Sequence, residues 1–187
     1  MAIVQLRFKS LIRKMSYLKS DLEYHRAEHK KRRQIFHDDL NKFILERNYV
    51  FAPEKAGKNM VDVYKKNPAV DVPNLDKQTK SIFKKVAKIA HPDMDRANNH
   101  LNKFIKAREA LEQKDWFSMY EISEHLAIDI PDISEAHIAW LEQEIIMTEQ
   151  IIKGITSTYE WIYSNDDANK QQLLTTYCML TCKIKDE

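Results

Sequence analysis

The chain has 187 residues, 43% of them hydrophobic and 31% charged, which fits one ordinary domain or a small domain with helical extensions. Its two glycines are too few for glycine-rich phosphate-binding loops. No apolar run is long enough to span a bilayer, and the first residues lack the continuous apolar stretch of a signal peptide.

Residues 1–48 form the first predicted element, a long helical arm. The prolines all lie between positions 53 and 131, so no helix breaker interrupts this segment. Its apolar residues recur mostly at alternating spacings of four and three, which is the pattern of a coiled-coil seam. The predicted seam comprises Leu11, Met15, Leu18, Leu22, Phe36, Leu40 and Phe43, with the polar residues His25, His29 and Arg32 in its middle.

Residues 49–76 form a predicted connector. This segment holds three of the five prolines and one of the two glycines, so it favours ordered loops over regular structure. We expect at most one short helix in it, near Met60, Val63 and Tyr64.

Residues 77–130 form a predicted helical module. Residues 77–90 read as a basic amphipathic helix, which ends at His91-Pro92-Asp93 because proline restricts the residue before it and has no N–H to donate. A second amphipathic helix follows from about residue 98 to residue 113, and together the two helices form a hairpin. A further helix contains Trp116 and Tyr120.

Residues 131–187 form the C-terminal helical arm, with a second seam and a break or cap at residues 164–167. The seam comprises Ile138, Leu141, Ile145, Thr148, Ile152, Ile155, Tyr159 and Ile162, and after the break Leu173, Tyr177, Leu180 and Ile184.

The two arms carry opposite charge. Residues 1–48 have 12 Lys and Arg against 6 Asp and Glu, whereas residues 132–187 have 4 against 10, so the balances are +6 and −6. The matched seams and charges predict an antiparallel coiled coil within one chain, with Phe43 near Ile138 and Arg32 near Thr148. The alternative is that each arm pairs with another chain, so the protein is a monomer or a coiled-coil dimer.

The middle module resembles the J-domain family of co-chaperones. Members carry a basic second helix ending in a Leu-Ala pair, a His-Pro-Asp loop and a third helix. This chain has Val86-Ala87 at the same offset before His91-Pro92-Asp93, and Leu101, Phe104 and Ala107 follow in step. The family's first helix, with its Tyr-x-x-Leu-Gly start, is not found. The layout resembles small J-domain-like proteins of tailed phages.

The resemblance implies a function without local catalysis: the module binds a DnaK-type chaperone and stimulates its ATPase. By this resemblance His91 and Asp93 make specific contacts and Pro92 holds the loop shape, while the basic helix docks on an acidic face of the chaperone. The docking lysines are Lys80, Lys84, Lys85 and Lys88. A client protein would bind through the helical arms. The alternative is a structural or assembly protein whose arms bind partners, with a degenerate J-like hairpin.

Three other patterns favour simpler interpretations. His25 and His29 fit an H-x-x-E-H zinc-peptidase pattern, but they lie within the coiled-coil seam, where a polar layer is the better interpretation. Cys178 and Cys182 lack a second pair that would complete a zinc site, so we expect buried thiols, no metal or cofactor, and a reducing, cytoplasmic location. The basic run at residues 29–33 could bind nucleic acid, but the acidic arm is a tethered competitor, so a nucleic-acid partner is not expected.

Overall fold

The computed structural model describes residues 3–52, 75–94, 99–130 and 133–184. Across these ranges it contains seven α-helices and one short two-stranded sheet, so the predicted all-α class is confirmed apart from that sheet. The elements are α1 (Ile3–Glu46), β1 (Tyr49–Phe51), α2 (Leu75–Ala90), α3 (Leu101–Glu112), α4 (Trp116–His125), α5 (Glu135–Thr156), α6 (Tyr159–Asn165), α7 (Lys170–Thr181) and β2 (Cys182–Ile184). Within the described ranges, no helix combines the length and apolar character needed to cross a membrane.

Local side-chain chemistry sets several helix ends. Asp115 caps α4, because its carboxylate accepts a hydrogen bond from the backbone N–H of Ser118 at 3.1 Å. Thr158 caps α6 in the same way, and Asp166 caps the 3-10 turn that follows. The predicted break at residues 164–167 is therefore confirmed. Asn48, just after α1, has a φ of 53°, a left-handed conformation that asparagine tolerates better than most residues.

The chain forms two compact units. The first combines Met1–Leu18 with Ala69–Ile146, and the second combines Lys19–Pro68 with Met147–Glu187. Both predicted arms therefore contribute residues to both units. The predicted short helix near Met60, Val63 and Tyr64 lies outside the described residues.

The first unit is built around α2, α3 and α4, each of which packs against the other two. Six α2 positions are buried along one face, as the amphipathic pattern predicts. The buried side chains of the unit that are largest and most completely enclosed are Phe8, Ile82, Val86, Met119, Tyr120, Ile138 and Leu141.

The second unit has a separate apolar cluster, and the sheet adjoins it. The cluster comprises Phe36, Leu40, Phe43, Tyr163, Leu174, Cys178 and Cys182. β1 and β2 pair antiparallel, with Phe51 opposite Cys182 and Tyr49 opposite Ile184.

Both arms are helical, but the predicted antiparallel register is wrong. In the first unit Phe8 of α1 lies against His137, near the start of α5, with ring centroids 6.4 Å apart. In the second unit Arg32 of α1 hydrogen-bonds to Asn165 at 2.7 Å, far beyond Thr148. A seam pattern predicts which face of a helix is buried, but its alternating spacings are the same for a helix that runs in either direction. Direction and register therefore depend on contacts that the pattern does not contain.

The end of the C-terminal arm also differs from the prediction. α7 stops at Thr181, and Ile184 lies in β2 with 68% of its surface exposed. Leu180 is exposed as well, whereas Leu174 and Cys178 provide the buried face of α7. The core therefore uses a helix face shifted by about one residue from the predicted one.

Candidate partner-binding surface

α2 and α3 form a hairpin whose apolar faces are covered by α4. The rings of Phe83 on α2 and Phe104 on α3 stack with centroids 6.0 Å apart. Ala107 and Ala110 are buried on α3, and small side chains at such positions allow close helix approach. One side of the hairpin therefore packs in the core of the first unit. The loop and the basic side chains lie on the remaining surface of the hairpin.

The loop between the helices presents His91, Pro92 and Asp93. The backbone N–H of His91 donates to the carbonyl of Ala87 at 3.1 Å and completes the last turn of α2. Pro92 is exposed, and the Asp93 side chain is 88% exposed. The His91 side chain is 41% exposed, and its ring meets that of Phe104 edge-on with centroids 5.1 Å apart. Within residues 91–94 the His91 ring is thus held against α3, whereas Pro92, Asp93 and Met94 are exposed.

The imidazole of His91 also shapes the loop. Its Nδ1 accepts a hydrogen bond from the backbone N–H of Asp93 at 3.2 Å and lies 3.5 Å from the Asp93 carboxylate. A neutral imidazole that accepts at Nδ1 carries its proton on Nε2. His91 therefore has a ring N–H left to donate to a partner.

The predicted docking lysines divide into two sets. Lys80, Lys84 and Lys88 recur every four residues, are exposed and form one row along α2, with no carboxylate partner within the described ranges. Lys85 is half-buried, and its ammonium donates to the backbone carbonyl of Asp129 at 2.7 Å. The structure therefore brings three of the four lysines onto one open face and ties the fourth to its own chain.

A buried polar network behind the hairpin was not predicted from the sequence. The side-chain carbonyl of Gln78 on α2 accepts hydrogen bonds from the hydroxyl of Tyr120 on α4 and, at 2.9 Å, from Nε2 of His137 on α5. Nδ1 of His137 accepts from both the backbone N–H and the hydroxyl of Ser134, at 3.2 and 2.8 Å. Hydrogen bonds among the side chains of Gln78, Tyr120, Ser134 and His137 thereby link α2, α4 and α5, and these bonds give the buried polar atoms partners.

Burial determines the protonation of this network. It lowers the pKa of His137 and raises that of Tyr120, so both groups are held neutral. A glutamine on the buried face of a basic helix is the only sequence signal that could have indicated the network, since the three partners are remote along the chain.

The polar middle of the α1 seam lies in the second unit. His25 stacks on Trp161 with centroids 5.2 Å apart, and the guanidinium of Arg32 lies 4.2 Å from the centre of the same ring. His29 lies 3.9 Å from the Glu160 carboxylate. Within the described ranges there is no group of three or more His, Cys, Asp or Glu side chains arranged to hold a metal ion.

The two cysteines are buried free thiols, as predicted. Burial, followed by the neighbouring Cys182, raises the pKa of Cys178 to about 12. A thiol with so high a pKa has almost no thiolate near neutral pH and is a poor nucleophile.

Comparison with known proteins assigns neither a family nor a function to the chain. No protein-family model matches the chain, and no curated protein or solved structure matches it either.

Proposed function

We propose that this protein is a J-domain-like co-chaperone that binds a DnaK-type chaperone and stimulates its ATP hydrolysis. The row of Lys80, Lys84 and Lys88 would attract an acidic face of the chaperone, and the loop would make the specific contacts. His91 would donate from Nε2, and the exposed Asp93 carboxylate would accept. The protein would supply no catalytic group of its own.

One observation carries the proposal: an exposed His-Pro-Asp loop lies at the end of a helix whose open face is a row of lysines with no carboxylate partner among the described residues. An unneutralised row of like charges at i, i+4 spacing slightly destabilises its own helix. Such a row is favourable when an acidic partner neutralises it, and it accelerates association more than it adds affinity.

The fold also supports a module that works without the family's first helix. α4 packs against both α2 and α3, and the network of Gln78, Tyr120 and His137 joins the hairpin to α5. The inner face of the hairpin is therefore covered in part by segments that follow it in sequence. Lys85 hydrogen-bonds to the backbone carbonyl of Asp129, so Lys85 would act as a positioning residue.

Single-turnover ATP hydrolysis by a DnaK-type chaperone of the same organism tests the proposal. We expect the wild-type protein to accelerate hydrolysis several-fold, and Asp93→Asn and the triple variant K80Q/K84Q/K88Q to lose that effect. The control is Lys106→Gln with Arg108→Gln, which removes two exposed charges from α3 and should stimulate like the wild type. No acceleration by a folded wild-type protein at micromolar concentration would overturn the proposal.

A second candidate function is assembly through the helical arms. The observation that favours it is a set of exposed apolar side chains around the sheet, at Leu180, Phe51 and Ile184. Exposed apolar side chains that lie near one another are typical of protein interfaces. A protein that oligomerises or binds a partner through these residues and leaves chaperone ATPase unchanged would belong to this second class.

A further inference from the structure

A second row of cations lies on α1, in the second unit. Arg26, Lys30 and Arg33 follow one another at spacings of four and three residues, so they share one helix face. All three side chains are exposed. Along the helix axis they are about 6 and about 4.5 Å apart, at the α-helical rise per residue.

The acidic side chains of the described second unit leave this row unneutralised. Glu28 pairs with Lys31 and Arg32 on another face of α1. Asp39 accepts from the hydroxyl of Tyr163, and Asp167 pairs with Lys170.

Glu160 faces His29 instead of the row. Glu23, one turn before Arg26, is exposed and forms no ion pair with it within the described ranges. Within the described residues, the predicted neutralisation of the basic arm by the acidic arm is therefore not found for these three cations.

We infer that the row formed by Arg26, Lys30 and Arg33 is a binding site for the phosphodiester backbone of a nucleic acid. Successive backbone phosphates present a line of negative charge, and a straight helix face that carries three cations in one row is complementary to it. Binding would neutralise the mutual repulsion of the three side chains and release counterions from the nucleic acid.

The composition around the row favours nucleic acid over an acidic protein. On α1 the row is flanked by Ala27 and Gln34 on one side and by Leu22, His29 and Phe36 on the other, and His37 continues it. Leu22 is half-buried and Phe36 is buried, so none of these positions presents an exposed large apolar side chain. Protein partners are generally held by buried aromatic or aliphatic anchors, which this face does not offer. Backbone phosphates need no such anchor, so the expected binding is electrostatic and independent of sequence.

Fluorescence anisotropy with a labelled 20-nucleotide single strand and a 20-base-pair duplex tests the inference. We compare the wild type with R26Q/K30Q/R33Q and with a matched control, K31Q/K42Q/K153Q, which also removes three charges from the second unit. Glutamine keeps helix propensity, and circular dichroism checks that each variant is folded. Polyglutamate serves as the competitor that represents an acidic protein.

We expect the wild type to bind at low salt with a linear dependence of log K on log salt concentration. The R26Q/K30Q/R33Q variant should lose about 2 to 3 units of that slope, one phosphate for each cation, while the control keeps it. For three contacts the wild-type affinity should fall about 20- to 40-fold between 50 and 200 mM salt. The probe that binds more tightly, the single strand or the duplex, identifies the form of nucleic acid that the protein prefers.

Three results would overturn the inference. The first is no binding by the wild type up to about 100 µM protein, which is the weak end of non-specific nucleic-acid binding. The second is an equal loss of affinity in both variants, and the third is competition by polyglutamate as effective as that by unlabelled oligonucleotide. The R26Q/K30Q/R33Q variant should still stimulate chaperone ATPase, so this inference and the proposed function can fail separately.

Discussion

Nδ1 of His91 accepts a hydrogen bond from the backbone N–H of Asp93, so the histidine of the loop holds the shape of the loop in which it lies. The same ring contacts Phe104 on α3 edge-on. We propose that the residue combines an inward role, through Nδ1 and the ring contact with Phe104, with an outward role through Nε2–H. Substitutions that replace one nitrogen at a time can separate these two roles.

The first prediction concerns the outward role of His91. His91→Asn keeps an acceptor near the position of Nδ1 but has no donor at the position of Nε2. His91→Gln reaches the outer position but lacks the inner acceptor that orients the side chain. We expect both variants to stay folded, with unfolding free energies within about 1 kcal/mol of the wild type, and to lose chaperone stimulation.

Thermal melts and single-turnover ATP hydrolysis on the same samples check this prediction. His91→Asn should melt closer to the wild type than His91→Gln, because it preserves the bond to the Asp93 backbone. Full stimulation by His91→Asn would show that the shape of the loop suffices and that Nε2 contacts nothing. Unfolding of either variant would make His91 a structural residue.

The second prediction separates two adjacent lysines. Lys85→Gln removes the hydrogen bond to the Asp129 carbonyl and should lower the unfolding free energy by about 1 kcal/mol. Lys84→Gln should leave the unfolding free energy within about 0.5 kcal/mol of the wild type, because the side chain is exposed. It should weaken chaperone stimulation at low ionic strength, and the deficit should shrink as salt screens the attraction.

Urea denaturation and ATPase assays at two salt concentrations measure these effects. If Lys85→Gln had the stability of the wild type and the salt-dependent defect of Lys84→Gln, Lys85 would belong to the docking row after all.

The sequence was informative where a local pattern determines the structure. The helical arms follow from their seams, α2 follows from its amphipathic face, and the end of α2 follows from Pro92. Five of the seven predicted apolar positions of the first seam are buried, namely Met15, Leu18, Phe36, Leu40 and Phe43. Leu11 and Leu22 are only half-buried, and the buried Phe8 and Ile12 were not predicted. These features depend on residues within a few turns of one another, and a single sequence contains that information.

The features that the sequence missed depend on contacts between distant segments. The antiparallel register failed because complementary seams and charges specify that two helices can pair, and they leave the direction open. The tie between Lys85 and Asp129 and the network around His137 join residues that are 44 and 59 positions apart. Such pairs have no periodic pattern in the sequence. The sequence therefore did not indicate that Lys85 and His137 have structural roles.

The third prediction concerns the reactivity of Cys178 and Cys182. Both thiols are buried, and the pKa of Cys178 is raised to about 12. We expect neither thiol to react with Ellman's reagent at pH 8 while the protein is folded, and both to react in denaturant. Rapid modification of one thiol in the native protein would mean that the end of α7 opens readily.

The last prediction is that the stability of the first unit falls on mild acidification because of His137. Its Nδ1 accepts two hydrogen bonds from Ser134 and its Nε2 donates to Gln78, so the folded network accommodates only the neutral ring. Burial lowers the pKa of His137 below the ordinary value near 6.5. The unfolded chain therefore binds a proton at a higher pH than the folded one does. The contribution of His137 is complete above the unfolded pKa and is lost as the pH falls through the lower, folded pKa.

The charged groups around His137 do not alter that direction. Tyr120 stays neutral throughout, because burial raises its pKa. Arg7 is next in sequence to Phe8, whose ring contacts the His137 ring, and Arg7 is paired with Glu135 and Glu142.

Urea denaturation at pH 7.5, 6.5 and 5.5, with hydrogen exchange of residues 134–146, tests the prediction. His137→Gln should cost about 1–3 kcal/mol at pH 7.5, because it leaves buried partners without a hydrogen bond. Its stability should then change less between pH 7.5 and 5.5 than that of the wild type. The difference between the two proteins isolates His137 from the other histidines, which both proteins contain. Parallel pH profiles would show that His137 is protonated in the folded state without cost, and the assigned direction of its hydrogen bonds would be wrong.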